Sequence, residues 1–328
     1  MTMKYLVTGA DGFLGQHLLQ LLHDNGVSVR AMLQEDFGQT LPGDPQRVVA
    51  DLSDPASLLK ATEGVTHVVH LAARVHQMND DAEDPIQAFR EVNVEGTRRL
   101  LDACEANNVE AFLLMSSVKA MCETSQGILD ETTECRPMTP YGISKLEAEH
   151  VVEEWNARTK TRCVTLRLPM VYGPGAKGNV LTLLRKAKSG KRLPFGGIRN
   201  KRSMVYVGNV VDAICRTMET PEANGVYIVS DEQDYSTKEL YETMGREAGA
   251  AKPTFYFPIL GLKLLGLIGS VAGAVLKRPM PIDGDAVSRL TEDLCFSSEK
   301  LRQELDITPP FNLESGMAET VKWYLALD

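Results

Sequence analysis

Two residues, Tyr141 and Lys145, form the clearest candidate catalytic pair in the sequence. Pro140 precedes them and a helical pattern continues to Arg158, so the pair is expected one turn apart on one face of a helix. A phenol has a pKa of ~10, and lowering it by about three units takes roughly 4 kcal/mol of differential stabilisation. A lysine ammonium in a shielded site can supply that stabilisation. The pair therefore predicts general acid–base chemistry.

A second group of residues has the spacing of a dinucleotide-binding turn. It follows the first predicted strand and opens the first predicted helix, which is the context such a turn requires. One glycine permits the tight turn, the next lets the backbone approach a pyrophosphate, and the third lets the helix pack on the strand. Amides at the helix N-terminus hold the anion. The cofactor contacts expected in this turn are Gly9, Asp11, Gly12, Phe13, Leu14 and Gly15.

The second and third predicted strands leave the choice of dinucleotide open. NAD-binding turns are normally followed, about 20 residues later, by an acidic residue that contacts the ribose, whereas this strand tip carries Gln34. Arg30 is a candidate contact to a 2′-phosphate, with a solvent-facing charge as the alternative. Asp51 and Leu52 are candidate adenine contacts, with Asp51 as a loop cap the alternative. Both NAD(H) and NADP(H) remain possible, and we favour NAD(H).

The elements that must position these residues alternate along the chain. The predicted strands are Tyr5–Thr8, Ser28–Leu33, Val48–Ala50, Val65–Leu71, Ala111–Ser116, Cys163–Arg167 and Val226–Ser230. The predicted helices between them are Gly12–His23, Asp54–Ala61, Pro85–Asn107 and Pro140–Arg158. This alternation predicts an α/β fold with a Rossmann-type, doubly wound parallel sheet.

The pattern changes in the second half of the chain. After Pro169 it loosens into loops rich in glycine, proline and lysine, interleaved with short helices. We therefore predict a dinucleotide-binding domain over residues 1–168 and a smaller, mostly helical substrate-binding lobe over residues 169–328. Part of the second half is expected to return to the main sheet.

Composition excludes several classes of protein. The chain has 328 residues, with 35 basic against 44 acidic side chains and a net charge of −9, which leaves no electrostatic footprint for nucleic acid. Its 6 cysteines are scattered without a C-x-x-C pair, so we expect neither a metal site nor a disulfide framework. No signal-peptide pattern precedes the first strand. These features predict a cytoplasmic protein.

One nearly apolar segment, Pro258–Leu276, has the length at which a membrane span enters consideration. Its glycines and Lys263 make it a poor span, whereas a buried or surface-docked helix tolerates both. We expect no span, and at most a weak association with a membrane surface through this segment.

Four motifs together resemble the extended short-chain dehydrogenase/reductases, and the resemblance covers essentially the whole chain. They are T-G-x-x-G-x-x-G at Thr8–Gly15, the paired Ser116 and Ser117, Y-x-x-x-K at Tyr141–Lys145, and R-L-P-x-V-Y-G-P-G at Arg167–Gly175. The resemblance implies Tyr141 as catalytic acid/base, Lys145 as its electrostatic helper and ribose contact, and Ser117 as the hydroxyl that orients the substrate oxygen. It also implies further cofactor contacts at Ala72, Ala73, Asn93, Ser116 and Pro169.

Extended members of that family mostly act on nucleotide sugars, whose diphosphate needs fixed cationic or amide donors. Asn179, Arg202 and Arg289 match positions that can hold it, and Phe195 lies in an L-P-F segment that resembles a uracil-binding segment. Lys119 is a candidate contact to substrate or cofactor phosphate, with a solvated lysine as the alternative. The resemblance further implies a UDP-sugar substrate and a homodimer.

The resemblance implies an NAD(P)-dependent oxidoreductase acting at C4 of a UDP-sugar. We favour a UDP-4-keto-6-deoxy-N-acetylhexosamine 4-reductase of polysaccharide precursor synthesis, because 116–119, 174–179 and 200–203 resemble bacterial enzymes thought to catalyse that reduction. The alternatives are a UDP-sugar 4-epimerase acting on UDP-glucose or UDP-GlcNAc, a hydroxysteroid or flavonoid-like reductase, and a non-catalytic dinucleotide-sensing regulator. The intact Tyr141/Lys145 pair disfavours the regulator.

The residues beside Ser117 bear on the same choice. Sugar 4,6-dehydratases of the family carry an Asp-Glu pair there, and this chain has Val118 and Lys119, so we predict no dehydratase activity. Many epimerases carry small or hydroxyl residues at these positions. Because an epimerase must also keep its cofactor through the cycle, the absence of an acidic residue at the strand tip, where Gln34 stands, argues for the reductase.

Tyr141→Phe is expected to leave dinucleotide binding nearly intact and to lower kcat by orders of magnitude, because it deletes the transferable proton and keeps the ring. Lys145→Met should weaken both binding and turnover. Steady-state kinetics and dinucleotide titration of each variant measure these effects. A Tyr141→Phe enzyme that keeps about a tenth or more of wild-type kcat would show that another group is the acid/base.

Overall fold

The strands of the protein form one large sheet and two small ones. In the computed structural model, which describes residues 3–75, 84–250, 254–276, 278, 280 and 283–327, the central sheet is seven-stranded. The strands are β1 (Lys4–Thr8), β2 (Ser28–Leu33), β3 (Gln46–Val49), β4 (His67–His70), β5 (Ala111–Ser117), β6 (Ile128–Leu129), β7 (Arg162–Leu168), β8 (Met170–Tyr172), β9 (Met204–Tyr206), β10 (Gly225–Ile228) and β11 (Cys295–Phe296).

Helices connect these strands and cover the sheet. The α-helices are α1 (Phe13–Asp24), α2 (Pro55–Thr62), α3 (Pro85–Arg90), α4 (Gly96–Ala106), α5 (Pro140–Arg158), α6 (Gly178–Lys188), α7 (Val207–Glu219), α8 (Thr237–Glu247), α9 (Ile259–Leu276), α10 (Gly284–Thr291), α11 (Glu299–Leu305) and α12 (Leu313–Leu325). A π-helical turn over Glu91–Glu95 joins α3 to α4, and a 3₁₀ turn over Val118–Ala120 follows β5.

The order of the central sheet is β10-β7-β5-β4-β1-β2-β3, with every pair parallel. The order reverses between β1 and β4, which is where a doubly wound sheet leaves a crevice at the carboxyl ends of its strands. The predicted Rossmann-type α/β fold is confirmed. The carboxyl ends of β1, β4, β5 and β7 therefore meet along one edge, and the candidate site residues follow those ends.

Both faces of the sheet are covered, and the side chains of β1 show how. Tyr5 and Val7 point into the apolar cluster that includes α1 and α7, whereas Leu6 points into the cluster that includes α2, α4 and α5. Successive side chains of a strand point to opposite faces, so a strand buried on both sides reads as a continuous apolar run. That run made β1 easy to predict.

A third apolar cluster, formed by β8, β9 and the helices after α5, lies in the second half of the chain. Its largest fully buried side chains are Tyr172 and Tyr241, and the Tyr172 hydroxyl donates to Asp231 at 2.9 Å. From this half, β10 pairs with β7 in the central sheet. The short strands β6, β8, β9 and β11 were not predicted, because two or three residues carry too little alternation to indicate a strand.

The structure corrects the prediction for Arg30. Its side chain is 9% exposed, and Nη1 donates to the carbonyl oxygens of Ala61 and Glu63 at 2.7 and 2.9 Å. These carbonyls lie at the C-terminal end of α2, where a cation also meets the negative end of the helix dipole. The guanidinium therefore ties β2 to α2 and does not reach a cofactor phosphate.

We expect Arg30→Met to lower the free energy of unfolding by about 2 kcal/mol, because it leaves buried carbonyl oxygens without donors. Dinucleotide affinity should stay within a factor of about two. Urea unfolding and dinucleotide titration measure the two effects, with the exposed Lys60→Met on α2 as the matched control. Loss of dinucleotide binding in a stably folded Arg30→Met protein would instead support a contact between Arg30 and the cofactor phosphate.

Candidate active site

Ser117, Tyr141 and Lys145 come together at the carboxyl edge of the sheet. Ser117 ends β5, and its hydroxyl lies near the phenol of Tyr141, which is in the first turn of α5. Ser117 Oγ also lies 3.3 Å from the carbonyl oxygen of Leu168 and accepts from the backbone N–H of Lys119 at 3.2 Å. A substrate oxygen held by both hydroxyls would sit between a hydrogen-bond donor and an acid/base.

The start of α5 brings Tyr141 this close. Thr139 caps the helix by accepting from the N–H of Gly142 at 3.2 Å, and Pro140 occupies the first turn. A Cβ on Gly142 would lie 2.3 Å from the carbonyl oxygen of Lys119. Only glycine allows this approach, so the G in Y-G-x-x-K sets the distance between α5 and the end of β5.

Burial controls the protonation of both catalytic candidates. Lys145 is 3% exposed, its Nζ donates to the carbonyl oxygen of Met115 at 2.6 Å, and burial lowers its pKa to about 8. Burial raises the pKa of the Tyr141 phenol, and the neighbouring Ser117 hydroxyl opposes that rise. The sequence predicted a lowered pKa for the Tyr141 phenol. Ser117 and Lys145 do not produce it by themselves in the protein without bound cofactor.

The glycine turn fits a dinucleotide pyrophosphate. Gly9 has φ +63°, and a Cβ there would lie 2.9 Å from the backbone nitrogen of Ala72. A Cβ on Gly15 would lie 2.3 Å from the carbonyl oxygen of Gly9, so helix and turn touch. Helix α1 begins at Phe13 after Gly12, without a side-chain cap, which leaves its first N–H groups for an anion.

The loop that opens the second half of the chain packs against this turn. His17 Nε2 lies 2.7 Å from the carbonyl oxygen of Pro174, and a Cβ on Gly175 would contact the Phe13 ring at 3.4 Å. Cofactor side and substrate side therefore meet at α1. Of the other predicted turn contacts, Asp11 is exposed and Leu14 is half-buried.

A buried polar chain that the sequence did not reveal supports the turn. Thr8 Oγ1 accepts from the backbone N–H of Ala72 at 3.0 Å and lies 2.8 Å from His70 Nδ1. His70 Nε2 lies 3.1 Å from Thr97 Oγ1, which itself donates to the carbonyl oxygen of Asn93. Burial, followed by the charge of Lys145, lowers the pKa of His70 to about 3. The imidazole is neutral, and the chain joins β1, the loop containing Ala72 and Ala73, and α4.

The predicted adenine side is also hydrogen-bonded internally. Asp51 accepts from the N–H and hydroxyl of Ser53 at 2.7 and 2.6 Å and from Gln34 Nε2 at 3.0 Å. The hydrogen bonds from Ser53 and Gln34 lower the pKa of Asp51. Asp51 is thus the loop cap considered above, and its carboxylate lies beside the tip of β2. Leu52 packs against Gly96, and its adenine contact remains a prediction.

Two predicted cofactor contacts have side chains that are used elsewhere. Asn93 is 2% exposed, and its amide bonds the backbone of Arg74 at 2.8 and 3.0 Å and the hydroxyl of Ser144 at 3.0 Å. Ser116 is buried and donates to Glu149. Asn93 joins the loop after β4 to α5, and Ser116 joins β5 to α5. Their side chains are thus engaged within the protein, and their cofactor contacts stay predictions. Pro169 is buried between β7 and β8.

A buried ion pair joins the catalytic helix α5 to strand β7. Arg167 Nη2 is 2.6 Å from Glu149 Oε2, and the two side chains are 7% and 4% exposed. The sequence contains a signal for it, since Glu149 follows Lys145 by four residues and so shares its face of α5. The pairing with Arg167 of β7 could not be read from that spacing.

The predicted substrate contacts are dispersed through the second half of the chain. Asn179 is exposed in the first turn of α6, and Arg289 is exposed on α10. Arg202 Nη1 donates to the carbonyl oxygens of Arg289 and Glu292 at 3.0 and 3.3 Å. Phe195 is 6% exposed and packs edge-on against Tyr241, so its ring is a core side chain and not a free platform for a base.

Lys119 also departs from its prediction. Its ammonium lies 2.5 Å from Glu123 Oε2, and Glu123 Oε1 accepts from the hydroxyl of Thr139 at 3.0 Å. The lysine is therefore held in a local network that ends at the cap of α5. Neither Glu123 nor Thr139 was singled out from the sequence, because neither belongs to a motif.

Comparison with known proteins agrees with this geometry. Residues 5–230 match the model of the NAD dependent epimerase/dehydratase family. The chain is 34% identical to a UDP-glucose 4-epimerase of Vibrio cholerae, over 99% of this chain and 96% of that protein. The chain belongs to the NAD dependent epimerase/dehydratase family. The resemblance to short-chain dehydrogenase/reductases is confirmed, and the protein is an NAD-dependent enzyme of that type.

Two further members of the family are similar along their whole length. An N-acetyl-alpha-D-glucosaminyl-diphospho-ditrans,octacis-undecaprenol 4-epimerase of Escherichia coli O157:H7 is 29% identical over 98% of this chain and 96% of its own. The structure of a Thermus thermophilus UDP-glucose 4-epimerase complexed with NAD superposes with a TM-score of 0.76 at 25% identity, covering 99% of this chain and 100% of that one. Membership in this enzyme family disfavours the regulator alternative.

Two kinds of feature, a membrane-spanning helix and a metal-binding cluster, are absent from the described residues. No helix among the described residues is long and apolar enough to cross a membrane. The same residues contain no group of three or more His, Cys, Asp or Glu side chains arranged to hold a metal ion.

Burial of Lys145 makes the free energy of unfolding of the protein depend on pH. With a native pKa of about 8 against 10.5, the unfolded chain binds more protons between these values, so wild-type stability rises with pH across that window. Below it, both states carry the ammonium and the cost of burying it is fully present. We expect cofactor-free Lys145→Met to be about 2 kcal/mol more stable than wild type near neutral pH, after the lost hydrogen bond is subtracted.

That difference should shrink as the pH approaches the upper limit of the window. Urea unfolding of both proteins near pH 7 and near pH 10 measures it, with the exposed Lys160→Met as control. A stability difference that is equal at the two pH values would contradict a depressed pKa for Lys145.

Proposed function

We propose that this enzyme is an NAD-dependent 4-epimerase of UDP-sugars. The observation that carries the proposal is the placement of Ser117 beside Tyr141 and buried Lys145, at the end of β5, in a chain similar along its length to a UDP-glucose 4-epimerase. The same three side chains serve oxidation and reduction at one carbon, which is the chemistry that inversion at C4 requires.

The two hydroxyls divide the work at C4. Ser117 donates to the C4 oxygen and fixes its position, while Tyr141 in its phenolate form accepts the C4 hydroxyl proton. The glycine turn of Gly9, Gly12 and Gly15 would hold NAD, which when bound would supply the acceptor of the C4 hydride and its donor in the reverse step. Tyr141 then returns its proton to the C4 oxygen, so product and substrate differ in configuration and no cofactor is consumed.

Lys145 supports Tyr141 through its charge. Its ammonium lies one helical turn from the phenol and has the Met115 carbonyl oxygen as its partner. A cation in a buried site favours the phenolate. The positive charge of an oxidised nicotinamide acts in the same direction, which offsets the burial that raises the phenol pKa.

Two arguments that favoured a reductase lose force in the structure. The β2 tip has no acidic residue, but the Asp51 carboxylate lies 3.0 Å from the Gln34 side chain at that tip. Lys119 follows the catalytic serine, but its ammonium pairs with Glu123. The similarity to epimerases therefore outweighs the sequence preference for the 4-keto sugar reductase, which becomes the alternative.

The substrate diphosphate would bind between the two halves of the chain. The N-terminus of α6, where Asn179 lies, offers amide donors. Arg202, which lies just before β9, and Arg289 of α10 offer guanidinium groups. Nη1 of Arg202 donates to two backbone carbonyl oxygens, which fixes the orientation of the guanidinium. Its other nitrogens would then donate to the diphosphate from a fixed direction.

A second candidate is epimerisation of a sugar diphosphate carried by a lipid. One relative acts on N-acetylglucosaminyl-diphospho-undecaprenol, according to its name. The observation that favours it here is the exposed apolar side of α9, in the same lobe as Arg289. The C4 chemistry would be unchanged, because only the group beyond the diphosphate differs.

We expect purified enzyme with NAD to interconvert UDP-glucose with UDP-galactose, or UDP-GlcNAc with UDP-GalNAc, without net absorbance change at 340 nm. NMR of the sugar ring measures the products, and Tyr141→Phe is the matched inactive control. A parallel reaction with N-acetylglucosaminyl-diphospho-undecaprenol in detergent tests the second candidate.

Other products would assign another reaction. Stoichiometric oxidation of NADH or NADPH with a UDP-4-keto-6-deoxy sugar, and no epimer from any substrate above, would establish the reductase. A 4-keto-6-deoxy product from a UDP-hexose would overturn both the proposal and the predicted absence of dehydratase activity.

A further inference from the structure

Helix α9 exposes apolar side chains on the side that faces away from the protein. Leu260 is 82% exposed, and four other large apolar residues that share its face are each more than half exposed. They follow at intervals of three or four positions and so form one stripe along the helix. They are Leu264, Leu267, Ile268 and Val271.

The opposite side of α9 is the side that packs. Leu262, Gly266 and Gly269 are buried, and a Cβ on Gly266 would lie 2.9 Å from a methyl carbon of Val287 in α10. An ordinary surface helix is apolar toward the core and polar outside. This helix is apolar on both sides, so its outer stripe has no partner within the described part of the chain.

The charged residues in the sequence segment that contains α9 are all basic. Between residues 248 and 282 the sequence contains Lys252, Lys263, Lys277 and Arg278 and no Asp or Glu, in a chain whose net charge is −9. Lys263 is exposed on α9 itself. Two aromatic side chains just before the helix, Phe255 and Tyr256, are 40% and 74% exposed. Exposed aromatic and basic residues beside an apolar helix face are typical of a helix lying in a membrane interface.

We propose that α9 docks the enzyme on an anionic lipid surface, with the stripe in the acyl region and the helix axis parallel to the membrane. The charge pattern selects this occupant. A second copy of the chain would bring identical cations toward one another across a two-fold axis, whereas anionic headgroups complement them.

Docking through α9 places the substrate lobe at the bilayer. Helix α10 packs on α9 and carries Arg289, whose carbonyl oxygen accepts from Arg202. If the second candidate function is correct, a lipid-linked diphosphate sugar would reach these cations from the membrane surface. That consequence rests on the proposed function, but the docking itself does not.

The test is co-sedimentation of the full chain with vesicles. We expect binding to phosphatidylcholine vesicles that contain about a quarter phosphatidylglycerol, and binding about fivefold or more weaker to phosphatidylcholine alone or at high salt. The double variant Leu264→Glu, Ile268→Glu should bind the mixed vesicles about tenfold or more weakly, because it places carboxylates in the stripe. The matched control is Leu59→Glu, which alters an exposed leucine on α2.

A second variant tests the proposal even if the double variant does not fold. Lys263→Gln leaves the apolar contacts of α9 intact and should weaken binding to the mixed vesicles only, by about fivefold. Thermal unfolding and turnover of a soluble UDP-sugar should match wild type for every variant, which separates loss of docking from loss of activity. Equal sedimentation of wild type and the double variant, or a dimer that the double variant dissociates while neither protein binds vesicles, would overturn the proposal.

Discussion

The buried ion pair between Glu149 and Arg167 determines where the catalytic helix can lie. Glu149 belongs to α5 and Arg167 to β7, and Ser116 of β5 donates to the same carboxylate. Breaking such a pair by removing one partner leaves an uncompensated buried charge, which costs about 3–5 kcal/mol. Tyr141 and Lys145 lie two turns and one turn before Glu149, so their position along the sheet edge follows from this pair.

A second contact fixes the N-terminal end of the same helix. The close approach of Gly142 to the carbonyl oxygen of Lys119 leaves no room for a side chain between α5 and the end of β5. Glu123 joins the Lys119 ammonium to the Thr139 cap of α5. With the middle and the N-terminus of α5 held, the phenol of Tyr141 stays beside Ser117. Lys119 thus belongs to the network at the start of α5. The ligand contact that the sequence offered, beside a solvated lysine, stays a prediction.

Several features of this protein could be predicted from local sequence because the physics that produces them is local. The spacing of Tyr141 and Lys145 follows from the pitch of a helix, and the structure begins and ends that helix at the predicted residues. The glycines at 9, 12 and 15 follow from what a turn against a phosphate requires. Alternating strands and helices imply a parallel sheet because parallel strands need long crossover connections. These local rules were sufficient for the fold.

Only the tertiary structure decided which polar side chains are already engaged. Arg30 meets carbonyls at the end of α2, Asn93 binds backbone 19 residues away, and Ser116 meets a carboxylate 33 residues away. Phe195 lies against Tyr241 in the core of the lobe. Each of these residue types suits a ligand contact, and no local pattern shows whether the protein itself supplies the partner. A hydrogen bond or an apolar contact is satisfied by whichever group the fold brings near, and that group is separated along the chain by distances that periodicity does not encode.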